Sequence, residues 1–405
     1  MIDRRVAISG IGCVSSIGLT REAVWDGLTS GRCGIGTPSQ FDASGFRSRI
    51  AAEIPPVDWS SLLPGVLLTR WSRSDRLAVI ATTEALADAA IGADADPTRV
   101  AVLLGAGTGD LRRNQRYLAS FRGQRAAPPR PSDIFHHFSS TSVDVVAGHF
   151  GFRGLRSCVV AACSSSTIAI AYGRDLIRRG RADVVVCGGS DVLCEVTVGG
   201  FNALRLVDTE PCRPFDASRA GMNLGEAAAI LVLEDLARAR RRDAHVYAEL
   251  AGHGVACEAY HATSPEPDGA TIGRAIANAL AQAGLQADDV DHVNAHGTAT
   301  PNNDVAEAQA FHRVFGDRAA RIPVTSIKSM VGHCLGAAGA IEAATLALTI
   351  DRGIVPPTIH HARTDPACKL DVVANEARAV RVRCGVSTSL AFGGNDSALV
   401  LTAAG

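Results

Sequence analysis

Of the 40 basic residues in this chain only Lys328 and Lys369 are lysines, and all the others are arginine. Arginine is used almost wherever a generic cation will serve, so a lysine inside a motif is informative. Aromatic residues make up only 5% of the sequence, which argues against a base-stacking surface for nucleic acid. The net charge is −1, which removes any whole-chain attraction to nucleic acid or anionic lipid. No apolar run reaches eighteen residues, and no membrane span is predicted. The eleven cysteines are an odd number, scattered without C-x-x-C pairs, which fits a reducing cytoplasm and no structural zinc or other metal. The opening M-I-D-R-R-V-A-I-S-G-I-G enters a strand at once and lacks a signal-peptide layout.

What is present is an ordinary globular composition, 47% hydrophobic and 20% charged, on 405 residues. That length predicts two domains or two fused halves.

The most informative stretch runs from Ser157 to Asp191, S-C-V-V-A-A-C-S-S-S-T-I-A-I-A-Y-G-R-D-L-I-R-R-G-R-A-D-V-V-V-C-G-G-S-D. Residues 158–162 read as a buried strand, Ser164, Ser165 and Ser166 as N-cap chemistry, 167–179 as an amphipathic helix and 183–187 as a second buried strand. Cys163 then sits on the tight turn at a helix N-terminus, where unpaired N–H groups and the helix dipole favour thiolate. That suits a nucleophile. A small buried core cysteine is the alternative reading.

Elsewhere the pattern predicts a strand at 5–9, helices at 21–28, 74–91 (with Ser74 as N-cap) and 140–150, and strands at 100–104 and 227–234. Residues 37–68 read as an irregular excursion, 111–131 as an Arg-rich mobile insertion and 192–206 as helical. From residue 245 the order starts again. The strand and G-x-G at 6–13 are echoed at 248–255, and the helix and strand at 74–91 and 100–104 at 271–283 and 290–295. The strand–Cys163–helix–strand unit corresponds to 324–326, the His333 turn, 336–350 and 354–359, and 225–234 to 393–402. Such a diverged duplication predicts halves 1–244 and 245–405, each a mixed sheet with helix layers. Cys163 and His333 fall at equivalent places, so the duplication brings them into one site.

Three further motifs carry chemistry. N-A-H-G-T-A-T-P-N-N-D (294–304) puts His296 at a strand end before small and hydroxyl residues. S-I-K-S-M-V-G-H-C-L-G-A-A-G-A-I-E (326–342) puts His333 in a glycine-rich turn five residues after Lys328. S-L-A-F-G-G-N-D (389–396) makes a tight turn at Gly393-Gly394, and the backbone N–H of Phe392 is able to point into a cavity. Taken singly, these also read as a hydrogen-bonded core histidine, a plain loop, and a hairpin with a buried phenylalanine. A metal held by Cys163, His296 and His333 has the ligand types but not the spacing.

Together A-C-S-S-S, N-A-H-G-T-A-T-P-N-N-D, K-S-M-V-G-H-C-L-G-A-A-G-A, A-F-G-G-N-D and R-P-F-D-A-S-R-A-G-M-N-L-G-E resemble the elongating β-ketoacyl-ACP synthases, in order from Arg5 to Leu401. The resemblance implies the thiolase-like α/β fold, with duplicated halves in a layered α-β-α-β-α sandwich. It implies decarboxylative Claisen condensation, with substrates carried on phosphopantetheine of an acyl carrier protein and no other cofactor. Cys163 matches the nucleophile, and His296 and His333 match the two histidines that bind malonyl thioester. Lys328 and Glu342 match the family's lysine and its ion-pair partner. The N–H groups of Cys163 and Phe392 match the oxyanion hole, and Phe392 matches the gating phenylalanine, beside Gly393. Thr298 and Thr300 match positions that bind phosphopantetheine. Thr108, Phe135 and Phe201 would line the acyl pocket.

Neutral N–H donors aimed at an enolate suit decarboxylation, and two histidines with one cysteine supply them. A degradative thiolase needs a second, late cysteine as base; Cys384 is the one candidate, within a predicted strand. An initiating synthase has asparagine in place of one histidine. M-N-L-G-E (222–226) and N-N-D (302–304) lean toward specialised polyketide or polyene pathways. There an active synthase pairs with a homologous chain-length factor that lacks the cysteine. The retained Cys163 marks the active member over that non-catalytic alternative, in a homodimer or heterodimer. Carrier proteins are acidic, and Arg70, Arg73, Arg76 and Arg205 are the docking candidates.

Overall fold

The computed structural model describes residues 4–66, 68–92, 95–109, 111–123, 128 and 138–405. Each half contributes five strands in one repeated order. In the first, β1 (Val6–Ser15), β5 (Ala227–Asp235), β4 (Val184–Asp191), β2 (Val100–Gly105) and β3 (Arg156–Val159) lie side by side. In the second, β6 (Ala248–Cys257), β13 (Asn395–Thr402), β12 (Cys384–Ser389), β7 (His292–Asn294) and β8 (Pro323–Thr325) do the same, with β10 (Asp371–Val372) outside. The pairing senses also match. β5 and β13 run antiparallel to both neighbours, and the strands beyond them are parallel. The halves join where Ala7 and Ile8 pair with Glu249 and Ala248.

Parallel strands need covered faces, and helices cover them here. The helices Ser165–Arg178 and Ala338–Arg352 pack together between the halves, within one core that takes side chains from both. Arg73–Asp88 and Thr141–Phe150 close one outer face, and Ala270–Ala283 and Pro301–Phe315 the other. The result is the five-layered α-β-α-β-α arrangement of the thiolase-like fold. The central crossing is tight: a Cβ on Gly339 would lie 1.9 Å from Thr167 Oγ1.

Several local expectations change. The counterpart of β4 is β12, not residues 354–359, where only Ile354–Val355 (β9) forms a strand, in a separate ribbon with β11 (Arg378–Ala379). The cap of the Arg73–Asp88 helix is Ser72, in a reciprocal capping box with Asp75. Ser74 is one residue inside that helix and bonds Ser190 instead. The strand before Cys163 is not buried. Among the described residues β3 has a neighbour on one side only, and Arg156 and Ser157 are exposed. An apolar run alone does not distinguish an edge strand from a central one. Residues Leu111–Phe121 form a helix. Among the described residues no helix is long and apolar enough to cross a membrane.

Candidate active site

Cys163 follows Ala162, whose φ of 46° turns the chain sharply between β3 and the Ser165–Arg178 helix. A non-glycine residue in this region is strained and persists only where its surroundings hold it. Ser164 takes the N-cap position without capping: its Oγ donates to Asn395 O at 2.5 Å and Ser389 O at 3.1 Å. The Cys163 turn is thereby tied to the Phe392 loop of the other half. His296 lies just beyond β7. His333 follows the short helix Lys328–Val331, and its N–H donates to Asn223 O at 2.7 Å.

These loops converge. His333 Nε2 is 3.0 Å from Cys163 Sγ. One ligand atom each of Cys163, His296 and His333 lies within 4.8 Å of the others. The two imidazoles meet edge to face, with centroids 5.2 Å apart. Lys328 Nζ sits 3.3 Å from His296 Nδ1 and is ion-paired with the buried Glu342. An ammonium in contact with Nδ1 makes that nitrogen the acceptor, so the His296 proton sits on Nε2. The same ammonium disfavours a metal cation among these three ligand types.

Burial lowers both histidines well below the usual imidazole range, and the Lys328 charge lowers them further, so both are neutral. The thiolate expected from the helix N-terminus is not the resting state. Burial pushes Cys163 up to about 11, against the opposing pull of Lys328 and the Phe392 N–H. Desolvation outweighs the local dipoles, and the sulfur is a thiol partnered by His333.

The Phe392 N–H reaches the sulfur, and the Phe392 ring stacks on Phe201 at 5.6 Å. The cavity in front of Cys163 is lined by Phe201, His296, Thr298, Thr300, His333 and Phe392, among others, and its free volume is about 50 Å³. Two expected residues fall elsewhere. Thr108 donates its hydroxyl to Asp191 at 2.9 Å and is not part of the cavity wall. Gly393 bonds Ala262 O and also stays out of the wall. Phe135 lies outside the described residues. Cys384 begins β12, buried and away from this cavity. Arg73 is ion-paired with fully buried Glu226, which takes it out of the docking set. Arg70 and Arg205 are exposed, and Arg76 lies over the Trp59 ring.

Sequence reasoning missed Glu307. Its carboxylate accepts the N–H groups of His296 and Gly297 at 2.7 and 2.8 Å and the Thr388 hydroxyl at 2.6 Å. The signal was legible: Asp304 and Glu307 stand three apart on the buried face of one helix, where acids are rare unless satisfied.

A thiol facing two neutral imidazoles, one tuned by a buried lysine, in a layered duplicated fold defines a condensing enzyme of the acyltransferase type. The comparisons place it more closely. Residues 3–239 match the family described as "Beta-ketoacyl synthase, N-terminal domain" and 247–362 match "Beta-ketoacyl synthase, C-terminal domain". The tetracenomycin polyketide synthase ketoacyl synthase alpha subunit of Streptomyces glaucescens is 41% identical over 98% of this chain and 97% of that protein. The 3-oxoacyl-[acyl-carrier-protein] synthase 2 of a Synechocystis species is 36% identical over 98% and 97%. A solved structure of the ishigamide ketosynthase/chain length factor superposes with a TM-score of 0.95 at 34% identity, over 100% of each chain. The chain belongs to the β-ketoacyl synthase family, and its reaction is decarboxylative condensation of acyl units.

Proposed function

We propose that this chain elongates a polyketide or fatty acyl chain held on an acyl carrier protein, with Cys163 as nucleophile. The observation that carries the assignment is the 3.0 Å contact between His333 Nε2 and the sulfur, with His296 and Lys328 behind it. Cys163 Sγ attacks the acyl thioester, the carrier's thiol departs, and the Cys163 proton passes by way of His333 to that leaving sulfur. The malonyl thioester carbonyl is then held by Nε2–H of His296 and of His333. His333 Nδ1 has no partner among the described residues, so its proton is free to sit on either nitrogen. Carbon dioxide leaves, the enolate is stabilised on oxygen, and its carbon attacks the Cys163 thioester carbonyl; the C–S bond then breaks, and the released Cys163 thiolate takes a proton back from water. The N–H groups of Cys163 and Phe392 receive the oxyanion, each contributing ~3 kcal/mol. Lys328 and Glu342 position His296. Thr298 and Thr300, whose hydroxyls meet at 3.0 Å in the cavity wall, hold the phosphopantetheine arm. No further cofactor enters this chemistry.

The cavity is too small for an acyl chain, so the Phe201–Phe392 stack must part on loading. Carrier docking falls to Arg70, Arg76 and Arg205, with a hollow lined by Arg76, Arg112, Arg113 and Arg116 beside Trp59 and Trp71. The exposed edge of β3, flanked by exposed Leu155 and Val160, is where a second copy or a homologous chain-length factor pairs. Eleven free cysteines support a reducing cytoplasm.

The test is mass spectrometry after incubation with acyl carrier protein substrates. An acyl adduct on Cys163, discharged to a β-ketoacyl product by malonyl carrier protein, is expected. If the sulfur stays unmodified, the chain is the non-catalytic subunit instead.

A further inference from the structure

Two carboxyl groups line the active-site cavity without a part in the chemistry above, Glu258 and Asp396. Asp396 is fully buried, and neither of its oxygens finds a hydrogen-bond donor among the described residues. What it meets, within hydrogen-bonding contact, is the carboxyl of Glu258. Two carboxylates are acceptors only, so the contact holds when one proton lies between them.

The pair joins two segments already laced together. Glu258 N–H donates to Gly394 O and Gly393 N–H to Ala262 O, both at 2.9 Å. Gly393 and Gly394 take φ of 80° and 74°, and a Cβ on Gly394 would stand 2.8 Å from Glu258 Cβ. The loop they turn carries Phe392, which has to move for the cavity to admit an acyl chain. The other charges facing Asp396 are Glu266 and Glu307, and both oppose its ionisation. His261, also in the cavity wall, uses Nδ1 to accept the N–H groups of Thr263 and Ser264 at 3.1 Å each. Lys328 is committed to Glu342.

We propose that Glu258 and Asp396 act as positioning residues, a carboxyl pair sharing one proton that clamps the Phe392 loop shut over Cys163. The proposal rests on the reading of Phe392 as the gate. Burial first, and then Glu258, push Asp396 up to about 9, and burial raises Glu258 too. Opening exposes Asp396 to water, where a carboxyl titrates at about 4. Between those two values the closed loop holds a proton that the open loop has released. Each pH unit in that window therefore favours opening by up to about tenfold, and the effect levels off above the upper value.

The experiment is the rate of Cys163 alkylation by iodoacetamide, which needs no carrier protein and no condensation. Asp396→Asn keeps a donor to Glu258 that does not titrate. Dividing the wild-type rate by the Asp396→Asn rate at each pH cancels the ionisation of Cys163 itself. The ratio is expected to climb about fivefold or more from roughly pH 6.5 to roughly pH 8.5. A ratio that stays flat overturns the clamp. Asp396→Ser, which also leaves no titrating group at that position, is the equivalent variant should Asp396→Asn fail to fold, with the same expectation. Glu258→Ala, which removes the contact, should be alkylated several-fold faster at the acid end, and no acceleration there also counts against the clamp. If wild-type Cys163 takes no acyl group yet the ratio climbs, the condensing function fails and the clamp stands. If it is acylated and the ratio is flat, the clamp alone fails.

Discussion

Lys328 Nζ lies 3.3 Å from His296 Nδ1 and is ion-paired on its other side with Glu342, so one buried cation fixes an imidazole tautomer and acts on the field at Cys163. It lowers Cys163 as well as both histidines. The buried pair is costly to break from one side only, because it leaves an uncompensated charge.

Lys328→Ala should therefore weaken two separate steps. Without the ammonium the Cys163 thiol rises further, so alkylation at about pH 8 should slow by about threefold or more. Malonyl decarboxylation should fall by about 10²-fold, because the His296 N–H is no longer directed at the enolate oxygen. Stopped-flow alkylation and carbon dioxide release read the two effects independently, and unchanged values in both would remove the lysine from the site.

Glu342 gives the reaction an acid limb. Burial pushes its carboxyl up to about 7, against Lys328. Its folded value is raised, so the ion pair is complete above that pH and is lost as pH falls through it. The decarboxylation rate should accordingly decline on the acid side of about 7 in the wild type. Glu342→Gln should be slower throughout and lack that limb. A wild-type profile flat from about pH 6 to about pH 8 contradicts the assignment.

The half-reactions should separate by residue. Cys163→Ala abolishes acyl transfer but leaves the two imidazole donors, so it should still release carbon dioxide from malonyl carrier protein. His296→Ala should do the reverse, accepting the acyl group on Cys163 while decarboxylation drops by about 10²-fold to 10³-fold. Loss of both half-reactions in either variant, with the fold intact by circular dichroism, argues against this division.

Assembly should depend on the β3 edge. Leu155 is 52% exposed and Val160 61% exposed, at either end of a strand with one side unpaired among the described residues. Val160→Arg places a charge in any sheet continued across that edge. Sedimentation should show the pairing lost or weakened by about tenfold or more, with the monomer still folded. Full retention of the dimer would place the interface elsewhere.

Charge reversal at Arg70 and Arg205 should raise KM for acyl carrier protein substrates by about tenfold at low salt while kcat holds. The same reversal of Arg73 should instead destabilise the fold, because it strands the buried Glu226 carboxylate that accepts from Ile54 N at 2.9 Å and Leu193 N at 3.2 Å. Thermal melts distinguish the two behaviours.

Many strands and helices were legible because their periodicity is a local property: β2 and β5 and both central helices stand within a few residues of where apolar spacing puts them, whereas β1 begins as expected at Val6 but runs on through the glycines to Ser15. The equivalence of 354–359 to β4 failed because which strand fills the middle of a sheet depends on distant pairing, and Val386 rather than Val355 sits beside Val293. Thr108 stands outside the wall of the cavity seen here for a similar reason, since its hydroxyl is claimed by Asp191, a partner 83 residues away.

By itself the sequence determined the order of elements, the doubling of that order and the residue types of the reacting groups, since all three are written in spacing and side-chain chemistry. The doubling placed the loops of Cys163 and His333, 170 residues apart, in one site, but tertiary structure alone decided that they meet at 3.0 Å from ring nitrogen to sulfur. It also decided that burial leaves that sulfur protonated, that β3 is an edge, and that Glu258 and Asp396 share one corner of the cavity. The physical reason is common to all four. Desolvation and contact between distant segments set charge state and partnership, and neither exists until the two halves close on each other.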